Sequence, residues 1–106
     1  MIKYFSCLLI TVYCLLVFSC GNNSEKNSEV KLAGQTLYES SCTGCHGGDG
    51  KLCALGAKDL SVSTMTNDQM MDIITNGKST MTPFGNVLTK EEIASLAGYV
   101  QTLKSK

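Results

Sequence analysis

Two thiols and an imidazole stand together in the run Cys42-Thr43-Gly44-Cys45-His46, and His46 is the only histidine of the chain. Cysteines at this spacing lie about one helical turn apart, so both sulfurs reach the same edge of a flat macrocycle. An imidazole directly after the second thiol is then delivered to a central metal almost intramolecularly. This is the chemistry of covalent haem attachment, with two thioether bonds to the vinyl groups and a nitrogen ligand for the iron. A redox dithiol is the first alternative, but it expects a βαβ setting that the flanking residues do not provide. Zinc is the second. Cys42, Cys45, His46 and Cys53 have the right donor types, but adjacent Cys45 and His46 are poorly placed to grip one tetrahedral ion.

A further iron ligand is expected from Met81, which lies in the irregular stretch 77–85 between two helices with start signals. Pro83 has a fixed φ and pushes Thr82 toward extended geometry, and a loop stiffened in this way can hold a thioether against iron. Taken alone, this stretch is an ordinary loop with a core methionine; the nearby haem signature makes Met81 the expected sixth ligand. Met65, Met70 and Met71 read as core or surface residues, since nothing around them fixes a sulfur.

The elements that must hold these groups follow from the rest of the chain. It has 106 residues, enough for one small domain, a formal charge of zero, and no arginine or lysine cluster, which argues against a nucleic-acid partner. Residues 5–18 are apolar except for Ser6 and Thr11. A core of that length suits a signal peptide and falls short of the ~18–20 residues of a spanning helix. The ending Val17-Phe18-Ser19-Cys20 resembles a bacterial lipoprotein signal, in which Cys20 is lipidated and becomes the mature N-terminus; ordinary cleavage and an uncleaved anchor are the other readings. Several acyl chains on one cysteine hold a domain firmly to a membrane. Cys7 and Cys14 would leave with the leader. The expected organisation is a leader over 1–19, a flexible polar tether over 20–29, and a domain over 30–106. Residues 20–106 carry eight lysines against nine acidic groups, a formal charge of −1. So small a domain has a thin core of its own, and a haem would form much of its hydrophobic centre.

Within the domain, residues 30–41 read as a helix, with Val30, Leu37 and Tyr38 at helical spacing. Gly34 costs that helix about 1 kcal/mol relative to alanine, which close approach by another backbone would explain; a fraying turn is the plainer reading. Gly47-Gly48-Asp49-Gly50 lacks the preceding strand and the Gly-Lys-Ser/Thr ending of a phosphate loop, and reads as a tight exit. Residues 51–63 read as a loop in which Leu52, Leu55 and Leu60 line the ligand. Cys53 is expected to be a small buried hydrophobe or, if exposed in an oxidising compartment, a partner for an intermolecular disulfide. Thr66 with Gln69 and Thr89 with Glu92 have capping-box spacing and open helices over 66–76 and 90–103. Met70, Ile73 and Ile74 face inward on the first of these. Ile93, Leu96, Ala97, Val100 and Leu103 form the stripe of the second, with Tyr99 at its edge. No strand-like alternation appears, so the fold class is all-α.

With these residues in place, the stretch 30–103 resembles a class I, single-haem c-type cytochrome. The resemblance implies a cytochrome c-like fold of three to four short helices wrapped round one covalent haem c, bound through Cys42 and Cys45 and ligated by His46 and Met81. It implies an N-terminal helix crossing a C-terminal helix near a right angle, with Gly34 and Tyr38 on the first and Leu96 and Tyr99 on the last. Met81-Thr82-Pro83-Phe84 is similar to the family's Met-Pro-x-Phe, with the proline displaced by one. One departure stands out: the family usually has a proline some ten residues after the histidine, whose carbonyl accepts from the other ring nitrogen. Here Leu55-Gly56-Ala57-Lys58 occupies that place, so a carbonyl around 56–58 is expected to serve.

The implied function is one-electron transfer without catalysis, because both axial positions are taken. Leu52, Leu55, Leu60, Ile74, Phe84 and Leu96 are the expected apolar wall that raises the potential. Partners would be redox proteins (an oxidase, dehydrogenase or reductase) meeting the haem edge in brief contacts of low area. The expected place is the periplasmic side of a bacterial membrane, with the outer membrane slightly favoured because no acidic retention signal follows Cys20. Three other readings stay open: a gas-binding haem module if Met81 does not ligate, a structural lipoprotein without haem, and a haem enzyme such as a peroxidase, for which a distal acid–base group is missing.

Overall fold

The computed structural model describes residues 23–104, and the leader and Cys20 lie outside the described residues. Among the described residues four helices follow one another: α1 Asn23–Ser41, α2 Thr43–His46, α3 Asn67–Asn76 and α4 Lys90–Leu103, with a 3₁₀ turn at Ala54–Gly56. The described residues contain no strand; one isolated antiparallel bridge joins Lys78 and Met81. The architecture is all-α, as expected.

Both expected capping boxes form. Thr66 Oγ1 accepts from the Gln69 amide while the Gln69 side chain accepts from the Thr66 amide, and Thr89 and Glu92 repeat the arrangement at the start of α4. Each box satisfies two amides that a helix start leaves without intrahelical partners. Side-chain chemistry alone thus sets where α3 and α4 begin.

The start of α1 differs from expectation. The polar stretch assigned to a flexible tether is helical from Asn23 onward, seven residues before Val30. Lys26, Asn27, Ser28 and Glu29 are polar and exposed, which is why composition read the stretch as coil. A helix nucleated over 30–41 gains one hydrogen bond for each residue added outward. Glu25, Lys26 and Glu29 are good helix formers, and neither Gly nor Pro lies between Asn23 and Ala33.

The core is the seam where α1 and α3 pack on α4. Tyr38, Met70, Ile74, Ile93, Leu96, Ala97, Val100 and Leu103 are buried there, and Tyr99 is buried with them instead of standing at an edge. The Tyr38 and Tyr99 rings meet at 5.3 Å between centroids, tilted by 52°. Gly34 marks the point of closest approach: a Cβ there would lie 2.2 Å from the Ser95 carbonyl oxygen and 2.7 Å from its carbon. Ser95 is buried, and its hydroxyl donates to the Val30 carbonyl at 3.1 Å, so the crossing is tied by a hydrogen bond where backbones nearly touch.

Candidate functional site

A cleft of about 280 Å³ opens between the end of α1, α2, the 3₁₀ turn, α3 and the loop that follows it. Cys42, Cys45, His46 and Met81 all line it, together with Leu60, Ile74, Phe84 and Leu96. Four of the six residues expected in the apolar wall are therefore present. Leu52 and Leu55 are not: their side chains are 56% and 78% exposed. For Leu55 the reason is local. It sits at φ 53°, a left-handed conformation inside the 3₁₀ turn, while its neighbours Ala54, Gly56 and Ala57 line the cleft. Cys53 is also left-handed, at φ 54°, and exposed, which corrects its reading as a buried small hydrophobe. It takes no part in lining the cleft. Among the described residues no group of three or more His, Cys, Asp or Glu could hold a metal.

Three hydrogen bonds set the histidine side of the cleft. The His46 amide bonds to the Cys42 carbonyl at 2.9 Å, which keeps both cysteines and the histidine on one helical turn. The Tyr38 hydroxyl, reaching from α1, donates to the Gly47 carbonyl at 2.6 Å and fixes the exit of that turn. His46 Nδ1 lies 3.0 Å from the Lys58 carbonyl oxygen, at the last position of the expected window. A carbonyl can only accept, so the contact is a hydrogen bond when Nδ1 carries the proton, and in that neutral tautomer Nε2 has the lone pair for a metal. The missing proline ring is immaterial to this, because only an acceptor in the right place is needed.

Met81 is set by α3 and by glycine. Gly77 ends α3 at φ 72°, where a Cβ would come within 2.6 Å of the Met81 carbonyl and 3.0 Å of the Pro83 nitrogen. Only glycine fits a left-handed turn against which the chain folds back so closely. The Met81 amide bonds to the Lys78 carbonyl at 3.0 Å, and the amides of Phe84 and Gly85 return to the carbonyls of Ile74 and Thr75 at 2.9 and 3.0 Å.

Met65 and Met70, read from sequence as unremarkable core or surface positions, also line the cleft. Gln101 Nε2 on α4 donates to the Met65 carbonyl at 3.3 Å and lies 3.5 Å from the Met70 sulfur. Lys104 Nζ donates to the same Met65 carbonyl at 2.8 Å. Met70 was legible as one side of an amphipathic helix, whereas no local signal placed Met65. The Tyr38 hydroxyl carried a weak signal, since a buried tyrosine needs a partner for its O–H.

Burial first, and the neighbouring Cys45 second, push the Cys42 thiol up to about 11. Reactive dithiols need a lowered value, because the thiolate is the nucleophile. The donor set instead fits a haem: two thiols on one turn, an imidazole with a free lone pair, a thioether, and an otherwise mainly apolar lining.

Comparison with known proteins gives the same direction. Residues 30–100 match the family model described as Cytochrome C oxidase, cbb3-type, subunit III. The chain is 37% identical over 73 residues to a protein named cytochrome c6 from Rippkaea orientalis, covering 64% of this chain and 66% of that protein. It is 36% identical over 73 residues to a cytochrome c6 from Gloeothece citriformis, covering 63% and 66%. A cytochrome c6 from Alaria esculenta is 28% identical over 79 residues, covering 69% of this chain and 91% of that protein. The match thus spans just under two thirds of the first two of these proteins and nearly the whole of the third.

Proposed function

Because the chain belongs to the c-type cytochrome family, we propose that it is a one-electron carrier whose cleft holds a single covalent haem c. Cys42 and Cys45 would attach it, and His46 and Met81 would be the ligands of its iron. The observation that carries this reading is the Nδ1 contact of His46 with the Lys58 carbonyl, which leaves Nε2 the metal-binding nitrogen on a ring lining the cleft. When bound, that group would supply one-electron redox chemistry.

The chain's own part is ligation, exclusion of water and control of access. An imidazole and a thioether together favour the ferrous state more than two imidazoles do, and the apolar side chains of Leu60, Ile74, Phe84 and Leu96 lower the local dielectric and act in the same direction. With His46 and Met81 both ligating, no iron position would be left for a substrate, in keeping with a carrier rather than an enzyme. Exposed Lys58, Lys78, Ser79 and Thr80 form the polar rim of the cleft, where a redox protein would dock briefly. The leader and Cys20 support a lipid-anchored place on the periplasmic side of a bacterial membrane, and the partner there is an oxidase, dehydrogenase or reductase.

The visible spectrum of the exported, mature protein tests this. A low-spin c-type spectrum with a weak methionine-to-iron charge-transfer band is expected, and Met81→Ala should turn the ferric form high-spin. A colourless protein without the added porphyrin mass would overturn the haem; an unchanged Met81→Ala spectrum would overturn the ligand.

A further inference from the structure

The loop bearing Met81 is held on its own side of the cleft by bonds to α3 and within itself, through Phe84, Gly85 and the Lys78–Met81 turn. Across the cleft, the segment 54–58 carries the carbonyl that orients His46. One hydrogen bond joins these two sides: Thr80 Oγ1, next to Met81, donates to the Leu55 carbonyl at 2.9 Å over a separation of 25 residues. The acceptor's presentation is built into the backbone. Leu55 is left-handed with its side chain turned out to solvent, between Ala54 and Gly56 in the cleft wall. A branched or bulky residue held in that conformation is disfavoured unless its surroundings require it.

We propose that Thr80 is a positioning residue, a polar latch that joins the methionine-bearing loop to the histidine-bearing side and so holds Met81 in place as a ligand. This rests on the assignment of Met81 made above. Without the latch, the 77–84 loop keeps its bonds to α3 but loses its tie to the opposite rim. The open form, with the thioether withdrawn, then becomes more populated by the factor a single hydrogen bond supplies. An external ligand that binds only the open form gains apparent affinity by that factor.

The experiment is a titration of the ferric holoprotein with imidazole, followed in the visible spectrum, for wild type, Thr80→Val, Thr80→Ser, Met81→Ala and the Thr80→Val/Met81→Ala double variant. Thr80→Val should bind imidazole about two- to tenfold more tightly than wild type, and Thr80→Ser, which restores a hydroxyl donor, should return toward it. Met81→Ala should bind more tightly than either, and adding Thr80→Val to it should change nothing further. Equal affinities for wild type and Thr80→Val, beside a tighter Met81→Ala, would overturn the latch alone. A Thr80→Val effect of the same size in both backgrounds would also overturn it, because Thr80 would then act on access and not through the methionine. If Met81→Ala binds no more tightly than wild type, the ligand assignment itself fails.

Discussion

Replacing Gly34 by alanine is the sharpest test of the helix crossing, because two opposing effects can be set against each other. In an isolated helix the change is favourable by about 1 kcal/mol. In this fold the new Cβ would stand 2.2 Å from the Ser95 oxygen and 2.7 Å from its carbon. Both atoms are backbone, so no rotamer change relieves the clash. Even the shortest contact that real side chains tolerate, about 3.0 Å, requires α1 and α4 to separate by at least 0.8 Å. That movement loosens the Ser95–Val30 hydrogen bond and the Tyr38–Tyr99 ring contact beside it. Overpacking typically costs about 1–3 kcal/mol and falls at the upper end when backbone is met on the far side. After the helix-propensity gain, a net loss of about 1–2 kcal/mol is expected, or roughly 4–16 °C in Tm for a domain of this size. Gly98 is the internal control: it lies in α4, is exposed, and has nothing within 4 Å of its would-be Cβ. Gly98→Ala should therefore stabilise by up to about 1 kcal/mol. Thermal and urea unfolding of the holoproteins, followed by far-UV circular dichroism, measures both. If Gly34→Ala is as stable as Gly98→Ala, propensity alone governs both sites and the close-contact argument is refuted.

Two further outcomes follow from particular residues. Burial above all pushes the Tyr38 hydroxyl from 10.0 up to about 12. A raised folded value means that this group's contribution is complete below pH 10 and is lost as pH rises from 10 to about 12. Unfolding free energies measured between pH 8 and 12 should fall more steeply for wild type than for Tyr38→Phe, and parallel curves would contradict this. Leu55→Asn places a residue that tolerates left-handed backbone where the leucine side chain contacts little, so stability should hold or rise by up to about 1 kcal/mol. A loss of 2 kcal/mol or more in the same urea assay would return Leu55 to the apolar wall.

Much of this fold was legible because its signals are local. Thr66 with Gln69 and Thr89 with Glu92 announce helix starts through chemistry contained within four residues, and both boxes form. The stripe from Ile93 to Leu103 needs only the helical period to be read, and it is buried as a unit. What escaped depended on backbone conformation or on distant neighbours. Leu52 and Leu55 looked like lining residues by hydropathy, and nothing in their types reveals the left-handed turn that carries Leu55 outward. Cys53 shares that left-handed backbone and is exposed, against its reading as a small buried hydrophobe. The stretch from Asn23 to Glu29 was misread because composition reports on burial, whereas a helix can extend into solvent on propensity alone. Thr80, paired with a carbonyl 25 residues away, carried no sequence signal at all.

The early start of α1 has a bearing on reach. Only Gly21 and Asn22 separate Cys20 from Asn23, the first described residue of α1. Seven residues of coil could stretch to about 24 Å, whereas the same residues in a helix advance only about 10 Å and do not bend freely. With an acyl group on Cys20, the domain would therefore travel on a stiff post instead of a loose string. Its oxidation partners would have to come down to it, within a thin layer above the lipid headgroups.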